Sequence, residues 1–82
     1  MKIVKITSTW CPSCIIMNNV FNKLVKNHPE LEVITYDYDF DEEVSKYNVG
    51  EILPVLIFIK DGKEVGRLVG EKSLKEIEEL LK

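Results

Sequence analysis

Residues 10–14, Trp10-Cys11-Pro12-Ser13-Cys14, hold both cysteines of the 82-residue chain. They follow a short β-branched run, residues 2–7, and open an amphipathic stretch that ends at about Asn27, so they mark a change from strand to helix. A thiol at a helix start meets unpaired backbone N–H groups and the positive end of the helix dipole, which favours its thiolate. Because the second cysteine lies one helical turn further on, the two can close a disulfide. The stretch therefore predicts a redox site.

Length and composition predict one compact domain over residues 1–82, since 45% of the residues are hydrophobic. A net charge of −3 argues against nucleic acid as a partner, and the scattered positive charges argue against an anionic membrane. Lys5 interrupts the first apolar run, which therefore does not resemble a signal peptide, and no stretch has transmembrane length. We expect a monomer in the cytoplasm. In such a reducing compartment a lone cysteine pair is more often catalytic or metal-bound than structural.

The remaining elements follow from hydrophobic period and turn signals. Residues 31–38 predict a second strand, 41–47 a short helix, 55–59 a buried strand, and Asp61-Gly62 a tight hairpin into 63–69. Ser73 and Glu76 form a capping box that opens a last helix. The predicted core faces of the long helices are Met17, Val20, Phe21, Leu24 and Val25, and Leu74, Ile77, Leu80 and Leu81.

This order, β-α-β-α-β-β-α, restricts the topology of an α/β fold. The first two strands must be parallel with a right-handed crossover, and the last two must form an antiparallel hairpin. One four-stranded mixed sheet with helices on both faces meets these conditions.

A strand, then Trp-Cys-x-x-Cys, then a helix, with Pro54 opening the third strand, resembles the thioredoxin family. The stretch from Phe58 to Gly70 is also similar, so the resemblance spans nearly the whole chain, in a short form without the N-terminal strand and helix of typical thioredoxins. It implies a thioredoxin fold and a thiol–disulfide oxidoreductase that reduces protein disulfides. Its partners would be those protein disulfides and a recycling reductase. The resemblance implies no cofactor and no metal, only the redox-active pair itself.

The resemblance also implies residue roles. Cys11 would be the nucleophile and Cys14 the resolving thiol. Pro54 would be cis, leaving the Leu53 backbone free to pair with an extended substrate strand. The substrate-binding residues would be Trp10, Pro12, Ser13, Ile52, Leu53, Pro54 and Gly70, with Val69 beside Gly70 in the apolar rim.

Two departures from the family pattern keep an alternative open. Lys5 stands where thioredoxins usually carry a buried acid, which leaves the proton acceptor for Cys14 undefined, and Pro12-Ser13 replaces the usual Gly-Pro. Proline first is the order of glutaredoxins, and the short length fits them, so a glutathione-dependent reductase is the alternative. We favour a protein substrate, because Ser8-Thr9-Trp10, Ile52-Leu53 and Gly70-Glu71-Lys72-Ser73 do not match the stretches with which glutaredoxins hold glutathione. Glu71 would repel the carboxylate of glutathione if it occupied that site, although Lys72 could offset it.

Other interpretations of single residues are weaker. A non-catalytic binding module conflicts with the intact cysteine pair. Only His28 could join the thiols as a zinc ligand, so a metal would need a dimer that shares two cysteine pairs; we expect His28 to complement the helix dipole instead. Ile15 either widens an apolar client surface or packs beneath the last helix. The acidic stretch Asp37–Glu43 is interpreted as structural and solubilising. Tyr36, Tyr38 and Phe40 alternate with its aspartates, which predicts one covered and one solvent-exposed face.

Overall fold

The computed structural model describes residues 1–81 and contains the predicted order of elements. The strands are β1 (Lys2–Thr7), β2 (Glu32–Asp37), β3 (Val55–Lys60) and β4 (Lys63–Val69). The helices are α1 (Pro12–Asn27), a 3-10 helix (Glu42–Tyr47) and α2 (Leu74–Glu79). In this part of the chain no helix combines the length and the apolar character needed to cross a membrane.

The four strands form one mixed sheet in the order β2-β1-β3-β4. β1 pairs in parallel with β2 and antiparallel with β3, while β3 and β4 form the antiparallel hairpin. Asp61 and Gly62 both have positive φ, 54° and 79°, which is the geometry of the hairpin turn that their sequence predicts. The predicted topology is therefore confirmed.

The two faces of the sheet carry separate apolar clusters. On one face α1 and α2 pack together over the sheet, and their cluster comprises Ile3, Met17, Phe21, Leu24, Leu56, Phe58 and Ile77. On the other face the 3-10 helix contributes Val44 to a cluster with Val4, Ile6, Val55 and Ile57. The second cluster also contains Cys11, Cys14 and Leu53, so the cysteine pair is anchored in the core.

Three local predictions need correction. The segment after Asp41 is a 3-10 helix rather than an α-helix, and it ends at Asn48 in the left-handed conformation. Val25 is exposed rather than part of the core, because the buried face of α1 is the narrower row Met17, Phe21, Leu24. Phe40 was expected to share the covered face of Tyr36 and Tyr38, but it is 80% exposed, since β2 ends at Asp37.

His28 links the C-terminal ends of α1 and α2. It is the C-cap of α1, and its backbone N–H donates to the Leu24 carbonyl at 2.9 Å. Its ring lies 2.8 Å from the Glu78 carboxylate on α2 and 3.5 Å from that of Glu30. The hydrogen bond with Glu78 is the main reason why the pKa of His28 is raised from its ordinary value.

A raised histidine pKa makes this link dependent on pH. The stabilisation is fully present below the unfolded-state pKa of about 6.5 and is lost as pH rises through the higher folded-state value. We expect the Tm difference between wild type and His28→Gln to be larger at pH 5.5 than at pH 8.5, in thermal unfolding followed by circular dichroism. An equal difference at both pH values would contradict this account.

Candidate active site

Cys11 caps the N-terminus of α1. Its backbone is extended (φ −95°, ψ 111°), and its Sγ accepts the Cys14 backbone N–H at 3.3 Å. Pro12 is the first helical residue, where a missing N–H costs nothing. Both thiols are free and buried. The start of the helix therefore offers backbone hydrogen bonding to the sulfur on which negative charge would develop.

The opposite wall of the site is the peptide between Leu53 and Pro54, which is cis, as expected. The Cys11 thiol donates to the Leu53 carbonyl at 3.6 Å, and the Pro54 carbonyl accepts the Gly70 N–H at 2.9 Å. Gly70 has φ 83°, and a Cβ there would lie 3.5 Å from Ile52, whose side chain is exposed. The residues predicted from three separate stretches of sequence thus meet around Cys11.

Trp10 is held by a residue whose role the sequence did not reveal. Its indole Nε1–H donates to the Asp39 carboxylate at 2.6 Å, and its ring meets Tyr38 edge to face at 6.4 Å. The same carboxylate oxygen accepts the Ser8 hydroxyl at 3.3 Å, and Ser8 Oγ accepts the Trp10 N–H at 3.2 Å. Asp39 therefore orients a ring that remains 57% exposed beside the thiols.

The acidic stretch around Asp39 owes its shape to hydrogen bonds with its own backbone. The Asp37 N–H donates to the Asp41 carboxylate, and the Asp39 N–H donates to the Asp37 carboxylate. These contacts agree with a structural role for the stretch. Two residues of the stretch also reach the site: Asp39 contacts Trp10, and Asp37 borders the pocket that Cys14 lines.

Ser13 contacts Glu71, another partner that the sequence did not pair with it. The Ser13 hydroxyl donates to the Glu71 carboxylate at 3.2 Å across 58 residues of sequence. A carboxylate therefore lies beside the turn of helix that carries the two cysteines.

Cys14 is the more deeply buried thiol, and its pKa is raised from 9.0 to about 11. Burial is the main cause, and the hydrogen bond with Cys11 adds to it. The Ser8 backbone N–H and the positive charge of Lys5 act in the opposite direction. At neutral pH Cys14 is therefore a protonated thiol.

Ile15, which follows Cys14, is 64% exposed. Packing beneath the last helix, one of its two interpretations, is therefore wrong. Ile15 instead lines a surface pocket of about 230 Å³ together with Thr7, Cys14, Asn18 and others.

Within residues 1–81 no three His, Cys, Asp or Glu side chains come together in a way that could hold a metal ion. His28 lies at the far end of α1 from Cys11.

The family model described as Thioredoxin matches residues 1–82, and the chain belongs to the thioredoxin family. It is similar to a "Thioredoxin H-type" of Picea mariana, with 41% identity covering 85% of this chain and 56% of that protein. It is also similar to "Thioredoxin H-type 1" of Nicotiana tabacum, with 34% identity covering 89% and 58%. The chain thus spans less than two thirds of the length of these curated relatives.

Among solved structures, Fasciola hepatica thioredoxin superposes with a TM-score of 0.87 at 34% identity. The match covers 98% of this chain and 76% of that one. The four-stranded mixed sheet with its helices is therefore a thioredoxin fold.

The raised pKa of Cys14 gives a direct prediction. Below pH 11 its thiolate fraction falls about tenfold per pH unit, so alkylation of Cys14 in the reduced protein should still be rising at pH 10. The measurement is pulsed iodoacetamide labelling between pH 7 and 11, with mass spectrometry of the Cys14 peptide.

The matched control is the same labelling in concentrated urea, where Cys14 should titrate near the ordinary value of 9.0. Identical profiles for folded and unfolded protein would show that burial does not hold the thiol neutral.

Proposed function

We propose that this protein is a thiol–disulfide oxidoreductase that reduces protein disulfides by dithiol exchange. The observation that carries the proposal is the position of Cys11 Sγ. It lies at the N-cap of α1, accepts the Cys14 N–H at 3.3 Å, and faces the Leu53 carbonyl at 3.6 Å. Membership of the thioredoxin family supports the same activity.

The exchange proceeds in two displacements. The Cys11 thiolate attacks one sulfur of a client disulfide, whose S–S bond breaks to give a mixed disulfide and a client thiolate. Cys14 then loses its proton and attacks Cys11 Sγ, which closes the Cys11–Cys14 disulfide and releases the second client thiolate. Both client thiolates take protons from water, so the client gains two electrons and the protein loses two.

The client would bind across the exposed apolar surface around Cys11. Trp10, Ile52 and Ile15 are 57%, 64% and 64% exposed. Trp10 precedes Cys11, Ile52 precedes Leu53, and Ile15 lines a pocket with Cys14. Leu53, next to Pro54, precedes β3 and could offer its backbone to an extended client strand. Pro12, Ser13 and Gly70 complete the contact surface.

Recycling requires a second partner. A dithiol that has been oxidised by its client must receive two electrons from a reductase of the thioredoxin reductase kind, or from glutathione. A reducing compartment such as the cytosol fits this cycle, because a disulfide there would be transient and catalytic. No bound cofactor is needed for thiol exchange itself.

A glutathione-dependent reductase is the less favoured alternative. Glu71 lies 3.2 Å from the Ser13 hydroxyl, so a carboxylate occupies the rim where an anionic tripeptide would approach the thiols. Unfavourable contact between like charges reduces affinity for glutathione while leaving most protein clients unaffected.

A trapping experiment tests the proposed activity. Cys14→Ser should retain client proteins on Cys11 as mixed disulfides, because the resolving sulfur is gone, whereas Cys11→Ser should retain none. The complexes are separated by non-reducing electrophoresis and identified by mass spectrometry. Adducts of glutathione alone would favour the alternative, and an absence of any Cys14→Ser adduct would contradict dithiol exchange.

The direction of electron flow is tested by the midpoint potential of the Cys11–Cys14 couple. Equilibration in defined thiol buffers, monitored by Trp10 fluorescence, should give a midpoint potential of about −270 mV, as for a reductase. A value of about −180 mV or higher would identify an oxidant or isomerase instead.

A further inference from the structure

Lys5 is a charged residue at the centre of the sheet. On β1 it pairs with Thr35 on one side and Leu56 on the other. It shares the face of Ile3, which packs against α1, and it is half-buried there. A lysine in such a place loses hydration, which lowers its pKa, so its charge needs compensating contacts.

Those contacts lie along the face of α1 that carries Cys14. Lys5 Nζ donates to Asn18 Oδ1 at 3.2 Å and lies 4.5 Å from the centre of the Phe21 ring. Asn18 and Phe21 follow Cys14 by four and seven residues, which are one and two helical turns. The ammonium group is therefore held on the helix face of the resolving cysteine.

The charges that face Cys14 come from three elements. Lys5 on β1 is positive, Cys11 at the start of α1 becomes negative when it ionises, and Asp37 at the end of β2 borders the same 230 Å³ pocket. Each of Lys5 and Cys14 shifts the pKa of the other toward the charged form. Lys5 is thus the one cation among these three.

We propose that Lys5, at the position where thioredoxins usually carry a buried acid, is a positioning residue that stabilises the Cys14 thiolate during the second displacement. The role presupposes dithiol exchange, so it rests on the proposed function. The step itself is unchanged: the Cys14 S–H proton passes to water in the adjoining pocket, and the thiolate attacks Cys11 Sγ and expels the client thiolate.

The mixed disulfide is the state in which this charge matters most. Once Cys11 is bonded to a client, it no longer ionises, and its raising effect on the pKa of Cys14 disappears. Burial still opposes the thiolate, while Lys5 and the Ser8 N–H still favour it. Lys5 thereby increases the fraction of Cys14 that can react at neutral pH.

The experiment measures the rate at which Cys14 resolves a mixed disulfide formed between Cys11 and 2,2′-dithiodipyridine. The probe is neutral, so Lys5 does not attract it electrostatically. One equivalent reacts with reduced protein and releases one chromophore when Cys11 is modified and a second when Cys14 attacks. The second phase is recorded by stopped flow between pH 6 and 10. Its pH profile reports the ionisation of Cys14 in the mixed disulfide.

Lys5→Gln should slow the second phase about tenfold at pH 7 and move its profile about one pH unit upward, since tenfold corresponds to one pKa unit. Lys5→Arg should restore the wild-type profile. The matched control is Lys2→Gln, which removes a charge from the same strand on the opposite face. It should leave the rate within about twofold, because a distant surface charge is screened.

An unchanged profile in Lys5→Gln, or a slowed one that Lys5→Arg does not restore, would overturn the proposal. If Lys5→Gln does not fold, the exposed Asn18→Asp variant replaces it. A carboxylate against the ammonium should also move the profile upward, and no movement would overturn the proposal. The probe measures dithiol exchange without a protein client. If the protein fails to reduce protein disulfides, that result therefore contradicts the proposed function and not the role of Lys5.

Discussion

The central position of β1 is the constraint on which the site depends. β1 lies between a parallel neighbour, β2, and an antiparallel one, β3, so its C-terminal end meets the start of β3. Ile6, near the end of β1, is paired with Val55, the first residue of β3. The segment that follows β1 therefore brings Cys11 next to the Leu53–Pro54 peptide, which precedes β3. Without this register the Cys11 thiol would not face the cis-proline peptide.

The two thiols differ because the helix places them in different surroundings. Cys11 caps the helix and accepts a backbone N–H, while Cys14 lies one turn inside, where burial keeps it protonated. Dithiol exchange needs this asymmetry, because a resolving thiol that ionised freely would compete for the client at the first step. The same burial creates the need for a positive group near Cys14, and Lys5 meets it from the neighbouring strand.

Most of the fold was predictable because its signals are local. β1 has its predicted bounds, the hairpin forms at Asp61-Gly62, and Ser73 caps α2 by accepting the Glu76 N–H. The failures were of two kinds. Val25 and Phe40 are apolar but exposed. The spacing of apolar residues along the chain sets neither the width of a helix's buried face nor the residue at which a strand ends. The short helix is a 3-10 helix, since the helix type of a six-residue segment is determined by its packing.

The sequence by itself determined the Cys-x-x-Cys pair, its place at the change from strand to helix, and the topology of the sheet. Each of these rests on neighbouring residues, on hydrophobic period, or on the handedness of connections. Tertiary structure alone decided which distant groups serve the thiols. Asp39 orients Trp10 across 29 residues, Glu71 meets Ser13 across 58, and Lys5 reaches Asn18 across 13. Such contacts depend on how the strands align and how the turns close. The partner of a polar side chain therefore cannot be read from the sequence.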